Sequence, residues 1–177
     1  MPNRWTFQIK PIKELVLRYV GDGKGWIDPF SGESSPAEFT NDINPERKTK
    51  YHLDAAIFCE QMEGKFKGIL FDPPYSYTQI KQCYEGLGLA VHADDVNERF
   101  YNRVKDAANP KIMSGGLSLN FGWNTNGMCK KRGYEIIEIL LVSHGGHHND
   151  TIVTVERKVN MSLDAYESAC PKSTSSD

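Results

Sequence analysis

The sequence alternates short apolar segments with segments of helical periodicity, and this alternation is what most constrains the fold. The apolar segments are rich in β-branched and aromatic residues and stop at Gly, Pro, Asn or Asp, as strands do. We predict strands over residues 26–30, 38–43, 51–53, 68–71, 111–121, 134–143 and 151–159. We predict helices over residues 12–20 and 54–62, from 77 up to the glycines at 86 and 88, and from 97 up to the Asn-Pro pair at 109–110.

This order of elements predicts one α/β domain built on a single sheet. Strands that alternate with helices form mostly parallel sheets covered on both faces, and we expect about seven strands here. The long β-branched segment 134–143 is expected to be a central strand. No helix separates it from the last strand, so these two should form an antiparallel pair at one edge. We place the domain at residues 1–164 and expect residues 165–177 to be a flexible tail.

Composition excludes several other classes of protein. With 177 residues, 39% of them hydrophobic, the chain is expected to bury a core without disulfides or metal. The four cysteines are scattered with no C-x-x-C pair, which favours reduced thiols in the cytoplasm. No apolar run approaches the length of a membrane span, so we expect no membrane partner. The net charge of -2 argues against strong non-specific binding of nucleic acid, although it does not exclude a nucleic-acid substrate.

Four acidic residues stand where predicted strands end: Asp28, Asp42, Asp54 and Asp72. In open α/β sheets, ligands bind outside the carboxyl ends of the strands. We therefore expect these four carboxylates to gather at one edge of the sheet and to form the functional site.

The segment Asp72-Pro73-Pro74-Tyr75 follows an apolar strand and carries the sharpest chemical signal. The Asp72 carboxylate and the Pro73 carbonyl can accept the two hydrogens of an amine, and Pro74 fixes the backbone so that both acceptors keep their geometry. The Tyr75 ring offers a flat face on which a planar base can stack, a contact worth about 1–3 kcal/mol. The alternative is that the prolines only end the strand and that Asp72 caps the next helix. We favour the amine site because the whole tetrapeptide follows the strand.

With these residues identified, the sequence resembles S-adenosylmethionine-dependent amino-methyltransferases that modify adenine in DNA, in a compact form similar to those of phages and prophages. DPPY at 72–75 matches the catalytic signature of that family, and DPFSG at 28–32 resembles its cofactor loop. NDINPE at 41–46 resembles the segment whose acid binds the cofactor ribose, and HLDA at 52–55 the segment that contacts the cofactor adenine. FQIKPIKEL at 7–15 resembles the motif near the methionine end. The resemblance covers about residues 5–158.

The resemblance implies a Rossmann-like class I methyltransferase fold, S-adenosylmethionine as cofactor and DNA as partner. It implies methyl transfer to the 6-amino group of adenine, in the cytoplasm of a bacterium or a phage-infected cell. The implied catalytic residues are Asp72, Pro73, Pro74 and Tyr75. The implied cofactor-binding residues are Phe7, Lys10, Asp28, Pro29, Phe30, Gly32, Asp42, Ile43, Asp54, Ala55 and Asp72.

Two features depart from the family pattern. Glu33 and Ser34 stand near the place of a second glycine in the cofactor loop, so we expect a side chain there to crowd the cofactor. The segment between Tyr75 and the next core helix has no room for a separate recognition domain. This shortness favours loose sequence preference or help from another subunit, either a homodimer or a recognition partner. Two other functions stay open: methyl transfer to RNA or another planar amine or amide, and a non-catalytic module that binds the cofactor or a partner.

Substrate contacts are expected beside the tetrapeptide. Tyr75, Ser76 and Tyr77 lead into residues 76–99, which form either a substrate-side lid or an ordinary surface loop. Trp123 is either a partly buried core aromatic residue or a residue that stacks on an extruded base or its neighbour.

The loop HGGHHND at 144–150 joins the last two predicted strands. We interpret it as a polar turn rather than a metal site, and we predict no metal. Because the loop follows a strand end on the catalytic side, His147 and His148 are candidates for contacts with the substrate.

Overall fold

The computed structural model describes residues 6–91, 97–146 and 149–159. The helices are α1 (Lys10–Val20), α2 (Ala55–Gln61), α3 (Tyr77–Gly86) and α4 (Glu98–Ala108). The strands are β1 (Trp26–Asp28), β2 (Phe39–Thr40), β3 (Phe66–Phe71), β4 (Ile112–Gly122), β5 (Tyr134–Val142) and β6 (Thr151–Lys158). Short 3-10 turns span Thr6–Gln8, Asn109–Lys111 and Lys130–Arg132.

The strands form one mixed sheet in the order β2-β1-β3-β4-β6-β5. The neighbours β2, β1, β3 and β4 are parallel, whereas β6 is antiparallel to both β4 and β5. The predicted mostly parallel sheet with an antiparallel last strand is therefore confirmed. Parallel strands place their carboxyl ends at one edge, so the ends of β1, β2 and β3 lie side by side.

The described part of the chain has six strands where about seven were predicted. The missing one is the brief strand at 51–53, where only an isolated bridge joins Asn41 to Tyr51. The reason is a side chain: Asn41 accepts the backbone N–H of Leu53 and donates to the Leu53 carbonyl. These backbone groups are satisfied by an amide side chain, so no further ladder forms there.

The prediction that residues 134–143 form a central strand is wrong, because β5 is the outermost strand. The last strand, β6, lies between β4 and β5 and pairs with both. Three large apolar side chains of β5 stay exposed: Ile136, Ile139 and Leu141. The apolar content of residues 134–143 alone therefore gave the wrong position for this strand in the sheet.

Two apolar layers cover the sheet. On one face α1 buries Ile12, Leu15 and Val16, which recur at helical spacing, in a cluster with Leu119 and Val153 of the sheet. On the other face α2 and α4 pack together in a second cluster. Successive residues of β3 alternate between the clusters, with Ile69 and Phe71 in the second and Leu70 in the first. This alternation shows that β3 is buried on both faces.

Close backbone packing fixes β3 against β1. Gly68 lies opposite Trp26 in the parallel ladder. A Cβ atom on Gly68 would lie 2.4 Å from a ring carbon of Trp26. Only glycine therefore allows the indole to lie across β3.

Some predictions fall partly or wholly outside the described residues. The predicted tail at 165–177 lies outside them, as do residues 92–96 of the segment predicted to be a lid or surface loop. The first part of that segment is helix α3. Within the described ranges, no helix has the length and apolar character needed to cross a membrane.

Candidate active site

A cavity of about 750 Å³ lies at the carboxyl ends of the parallel strands. Its walls come from the loop after β1, the loop after β2, the end of β3 and helices α3 and α4. The lining residues are Phe7, Pro29, Phe30, Ser31, Gly32, Glu33, Ser34, Asp42, Ile43, Asn44, Arg47, Leu53, Ala55, Asp72, Pro74, Ile80, Gln82, Cys83, Tyr84, Gly86, Leu87 and Phe100. A cavity of this size, mostly apolar with a few carboxylates, is typical of small-molecule sites.

Asp72 follows β3 directly and lies in the wall of the cavity. It is 2% exposed, and burial raises the pKa of its carboxyl to about 7. Hydrogen bonds from the Tyr75 hydroxyl, at 2.7 Å, and from the Thr6 side chain act in the opposite direction and favour the carboxylate. Near neutral pH this group can therefore exist in both protonation states.

The tetrapeptide is held by contacts from two helices. The Tyr75 backbone N–H donates to the Gln79 side chain of α3, and the Tyr101 hydroxyl of α4 donates to the Pro74 carbonyl. The Tyr75 ring packs on the α1 face of the sheet, with its hydroxyl on Asp72, and lies outside the cavity lining. Pro73 is buried and also lies outside that lining. Asp72 thus separates the cavity from the Tyr75 side.

Asp28 ends β1 and is fully buried, but it does not line the cavity. Its carboxylate accepts the Phe30 backbone N–H at 2.9 Å and the Ser35 hydroxyl at 2.6 Å. Burial raises its pKa to about 7, and the charges of Asp72 and Asp42 add to the effect. The structure places Asp28 beneath the loop at 29–35, where it shapes the cavity wall through Phe30.

Asp42 lines the cavity, as predicted for a cofactor contact. Its carboxylate accepts the backbone N–H of Asn44 at 2.8 Å and that of Gly32, while burial raises its pKa. Gly32 has a φ of +54°, a left-handed conformation that favours glycine, and no protein atom lies within 4 Å of a Cβ placed there. Gly32 is therefore needed for its backbone turn.

Glu33, expected to crowd the cofactor, turns toward Arg47 and forms an ion pair at 2.7 Å. Both residues line the cavity, and both side chains are about two-fifths exposed, at 43% and 41%. The ion pair joins the loop after β1 to the loop after β2. The long side chain is thus held by a partner on the facing loop.

Asp54 caps α2, and Lys10 is exposed; neither lines the cavity. The Asp54 carboxylate accepts the backbone N–H groups of Ala56 and Ile57, the hydroxyl of Tyr84 and the guanidinium of Arg103. One carboxylate therefore ties α2, α3 and α4 together behind the cavity. The remaining predicted cofactor contacts line the cavity: Phe7, Pro29, Phe30, Gly32, Ile43, Ala55 and Asp72.

Several lining residues were missed by sequence reasoning. Ile80 and Cys83 come from α3, and Phe100 comes from α4, where its ring packs against Phe30 at 6.0 Å. Asn41 was also missed: it is fully buried and joins the Pro29 carbonyl to the Leu53 backbone. The only local sign of this role was that an amide residue directly precedes Asp42 at the end of β2.

On the substrate side, Ser76 caps α3 and Tyr77 is exposed. Trp123 is 41% exposed and meets the Tyr75 ring edge-on at 5.7 Å, so it lies at the surface and packs on the tetrapeptide. His147 and His148 lie outside the described residues. Within the described ranges no group of histidines, cysteines and acids could hold a metal ion.

No family model matches the sequence, and no curated protein matches it by sequence. The fold, however, is similar to solved methyltransferase structures. TrmN from Thermus thermophilus has a TM-score of 0.56 and 17% identity, covering 84% of this chain and 48% of that one, so the chain spans about half of TrmN. The N-methyltransferase NodS from Bradyrhizobium japonicum WM9 has a TM-score of 0.54 and 10% identity, covering 86% and 97%.

A third structure is the 1,6-didemethyltoxoflavin-N1-methyltransferase of Burkholderia thailandensis, solved with bound 1,6-didemethyltoxoflavin and S-adenosylhomocysteine. Its TM-score is 0.58 at 9% identity, covering 85% of this chain and 78% of that one. Likeness at such low identity establishes the fold. The chain therefore has the Rossmann-like methyltransferase fold, as the resemblance implied.

Proposed function

We propose that this protein transfers a methyl group from S-adenosylmethionine to the 6-amino group of adenine in DNA. The observation that carries the proposal is the position of Asp72. A buried carboxylate, in the sequence Asp-Pro-Pro-Tyr, lies in the wall of a cavity at the end of a central strand. Structures with the same fold were solved with S-adenosylhomocysteine, which supports the choice of cofactor.

The residues of the cavity fit this cofactor. The volume of about 750 Å³ is sufficient for a nucleoside with an amino-acid arm. Asp42 presents a half-buried carboxylate that can accept ribose hydroxyls, as acids at this strand position do for other nucleosides. Phe30, Leu53 and Ile80 provide apolar walls for a purine ring. When bound, S-adenosylmethionine supplies a methyl group carried on a positively charged sulfur.

The chemistry left to the protein is to hold the amine and take up its hydrogens. The Asp72 carboxylate can accept one amine hydrogen, which makes the nitrogen lone pair available in the direction of the cavity. In this structure the Tyr75 hydroxyl occupies Asp72 Oδ1, so an incoming amine must share or displace that bond. Because the pKa of Asp72 is about 7, the same carboxylate can take up the proton released by methylation.

A substrate panel tests the proposal. The wild-type protein is incubated with labelled S-adenosylmethionine and, in parallel, duplex DNA, single-stranded DNA, RNA and small planar amines, with cofactor binding measured by calorimetry. The proposal expects label in adenine of DNA. Label only in RNA or in small amines would assign the second function left open by the sequence. Cofactor binding without any transfer would indicate a non-catalytic module.

A further inference from the structure

Two charged residues that the proposed chemistry does not use are buried under the loop between β4 and β5, residues 123–133, here named the platform loop. The first is Glu156 of β6, which is 1% exposed. Its carboxylate accepts the backbone N–H groups of Met128 and Cys129 and the side-chain amide of Asn120, at 2.5, 2.9 and 2.9 Å. Two of these three donors belong to the loop, so the carboxylate fixes the loop to the sheet.

The second buried charge is Lys105 of α4, which is 7% exposed. Its ammonium donates to the Asn126 carbonyl of the platform loop at 2.8 Å and lies 5.3 Å from the centre of the Phe71 ring. Burial lowers its pKa to about 8. Lys105 therefore joins the platform loop to the residue that precedes Asp72.

The backbone of the platform loop is drawn tightly against the carboxylate. A Cβ atom on Gly127 would lie 2.0 Å from Glu156 Oε2, so no side chain fits there. Cys129 adopts a φ of +65°, a conformation that is rare outside glycine. Buried charges and strained backbone both disfavour folding, so the contacts around the platform loop must hold it in this conformation.

The exposed end of the platform loop carries the Trp123 ring. Trp123 contacts Tyr75, and Tyr75 in turn bonds Asp72. Asn124 accepts the backbone N–H of Asn126, which links this exposed end to the part held by Lys105. A continuous set of contacts thus runs from Glu156 and Lys105 through the loop to the ring beside Tyr75.

We propose that Glu156 and Lys105 are positioning residues that hold the Trp123 ring as a stacking platform for a second ring of the substrate. Trp123 lies outside the cavity lining and packs on the Tyr75 ring. It is therefore placed to contact a part of the substrate beyond the reacting amine. The substrate class that this arrangement fits is a nucleic-acid strand, in which a neighbouring base stacks on Trp123. This inference rests on the proposed function.

The test uses the full-length protein labelled with 5-fluorotryptophan, whose three tryptophans give three fluorine resonances, with Trp123 assigned from Trp123→Phe. Glu156→Gln keeps the shape of the side chain but turns an amide N–H toward backbone donors. Glu135→Gln, on the exposed side of β5, is the matched control. We expect the Trp123 resonance to move in Glu156→Gln, while that of buried Trp26 stays and the control matches wild type.

The kinetic part of the test measures KM and kcat of Glu156→Gln with an adenine-containing oligonucleotide. Loss of one stacking contact in this variant should raise KM by about 5- to 150-fold. The dissociation constant of the cofactor should stay unchanged. If Glu156→Gln fails to fold, Lys105→Met, which keeps the length of the side chain, replaces it.

The possible failures are distinguishable. An unmoved Trp123 resonance in the folded variant overturns the positioning role. A moved resonance with an unchanged KM overturns the stacking role. If the wild-type protein methylates nothing, the proposed function fails, but the resonances still decide the positioning role. Binding of the oligonucleotide then decides the stacking role: equal affinities of the wild-type protein and of Trp123→Leu, which has no ring to stack, would overturn it.

Discussion

Replacing Asp28 by asparagine should flatten the pH dependence of stability. Burial raises the pKa of Asp28 from 3.8 to about 7, so the folded state holds a proton that the unfolded state has already released. The contribution to stability is therefore complete below pH 4 and is lost as the pH rises through 7. Each pKa unit corresponds to about 1.4 kcal/mol, so the loss is on the order of 4 kcal/mol over this range.

Asparagine fits the same position. Its carbonyl oxygen can accept the Phe30 backbone N–H, as Asp28 does. Its amide can donate to the Ser35 hydroxyl, which reverses the direction of the second bond but leaves both groups with a partner. Roughly 3 kcal/mol of the stability that Asp28 contributes is lost between pH 5 and pH 8. Over that interval the wild-type free energy of unfolding should fall, and that of Asp28→Asn should fall by roughly 3 kcal/mol less. In both proteins the free energy of unfolding still depends on pH through Asp72, because its pKa is also about 7.

The assay is urea unfolding followed by circular dichroism at pH 5, 6, 7 and 8. Asp22→Asn serves as control, because Asp22 is exposed and its pKa is lowered by contacts with Lys24. Equal pH slopes for wild type and Asp28→Asn would refute the reasoning. That result would mean that Asp28 is ionised in the folded protein over the whole range.

Two further predictions concern packing and acid–base chemistry. Gly68→Ala should lower the free energy of unfolding by about 1–3 kcal/mol, because the added Cβ would overlap the Trp26 ring. Gly86→Ala is the control and should not lower it, because no atom lies within 4 Å of a Cβ placed there. Equal stabilities of the two variants in urea would contradict this account of the packing. Tyr75→Phe removes a hydrogen bond that lowers the pKa of Asp72, so the acid limb of kcat against pH should move up by about one to two pH units. An unmoved limb would show that Asp72 is not the ionising group.

The order of elements was predictable from the sequence because helices and strands carry different apolar periods. The helical spacing of Ile12, Leu15 and Val16 indicated α1, and the short loop before β6 indicated an antiparallel pair. The edge position of β5 was not predictable in this way. Exposure of Ile139 and Leu141 depends on whether another element covers that face, which no local pattern records.

The residues of the candidate site show the same difference between what local motifs predict and what only packing decides. Asp42, Asp72 and Phe30 were predicted because they belong to contiguous motifs at strand ends. Ile80 and Phe100 reach the cavity only through the packing of α3 and α4, so their positions could not be deduced from neighbours in sequence.

Asp28 shows a different limit of local motifs. Its motif pointed to a ligand contact, whereas its carboxylate turns back on the backbone two residues ahead, a common arrangement for aspartate before a turn. A motif therefore located the residue correctly, but the atoms that it contacts depended on the fold of the loop.

The most direct test of the central claim compares methyl transfer by wild type and Asp72→Ala. Both proteins receive labelled S-adenosylmethionine and unmethylated genomic DNA, and the DNA is digested to nucleosides so that label is assigned to a base. The account predicts label in N6-methyladenine with the wild type and loss of that label with Asp72→Ala, while cofactor binding is retained. Equal labelling of adenine by both proteins, or wild-type label in another base alone, would contradict the role of Asp72 as the acceptor that holds the adenine amine.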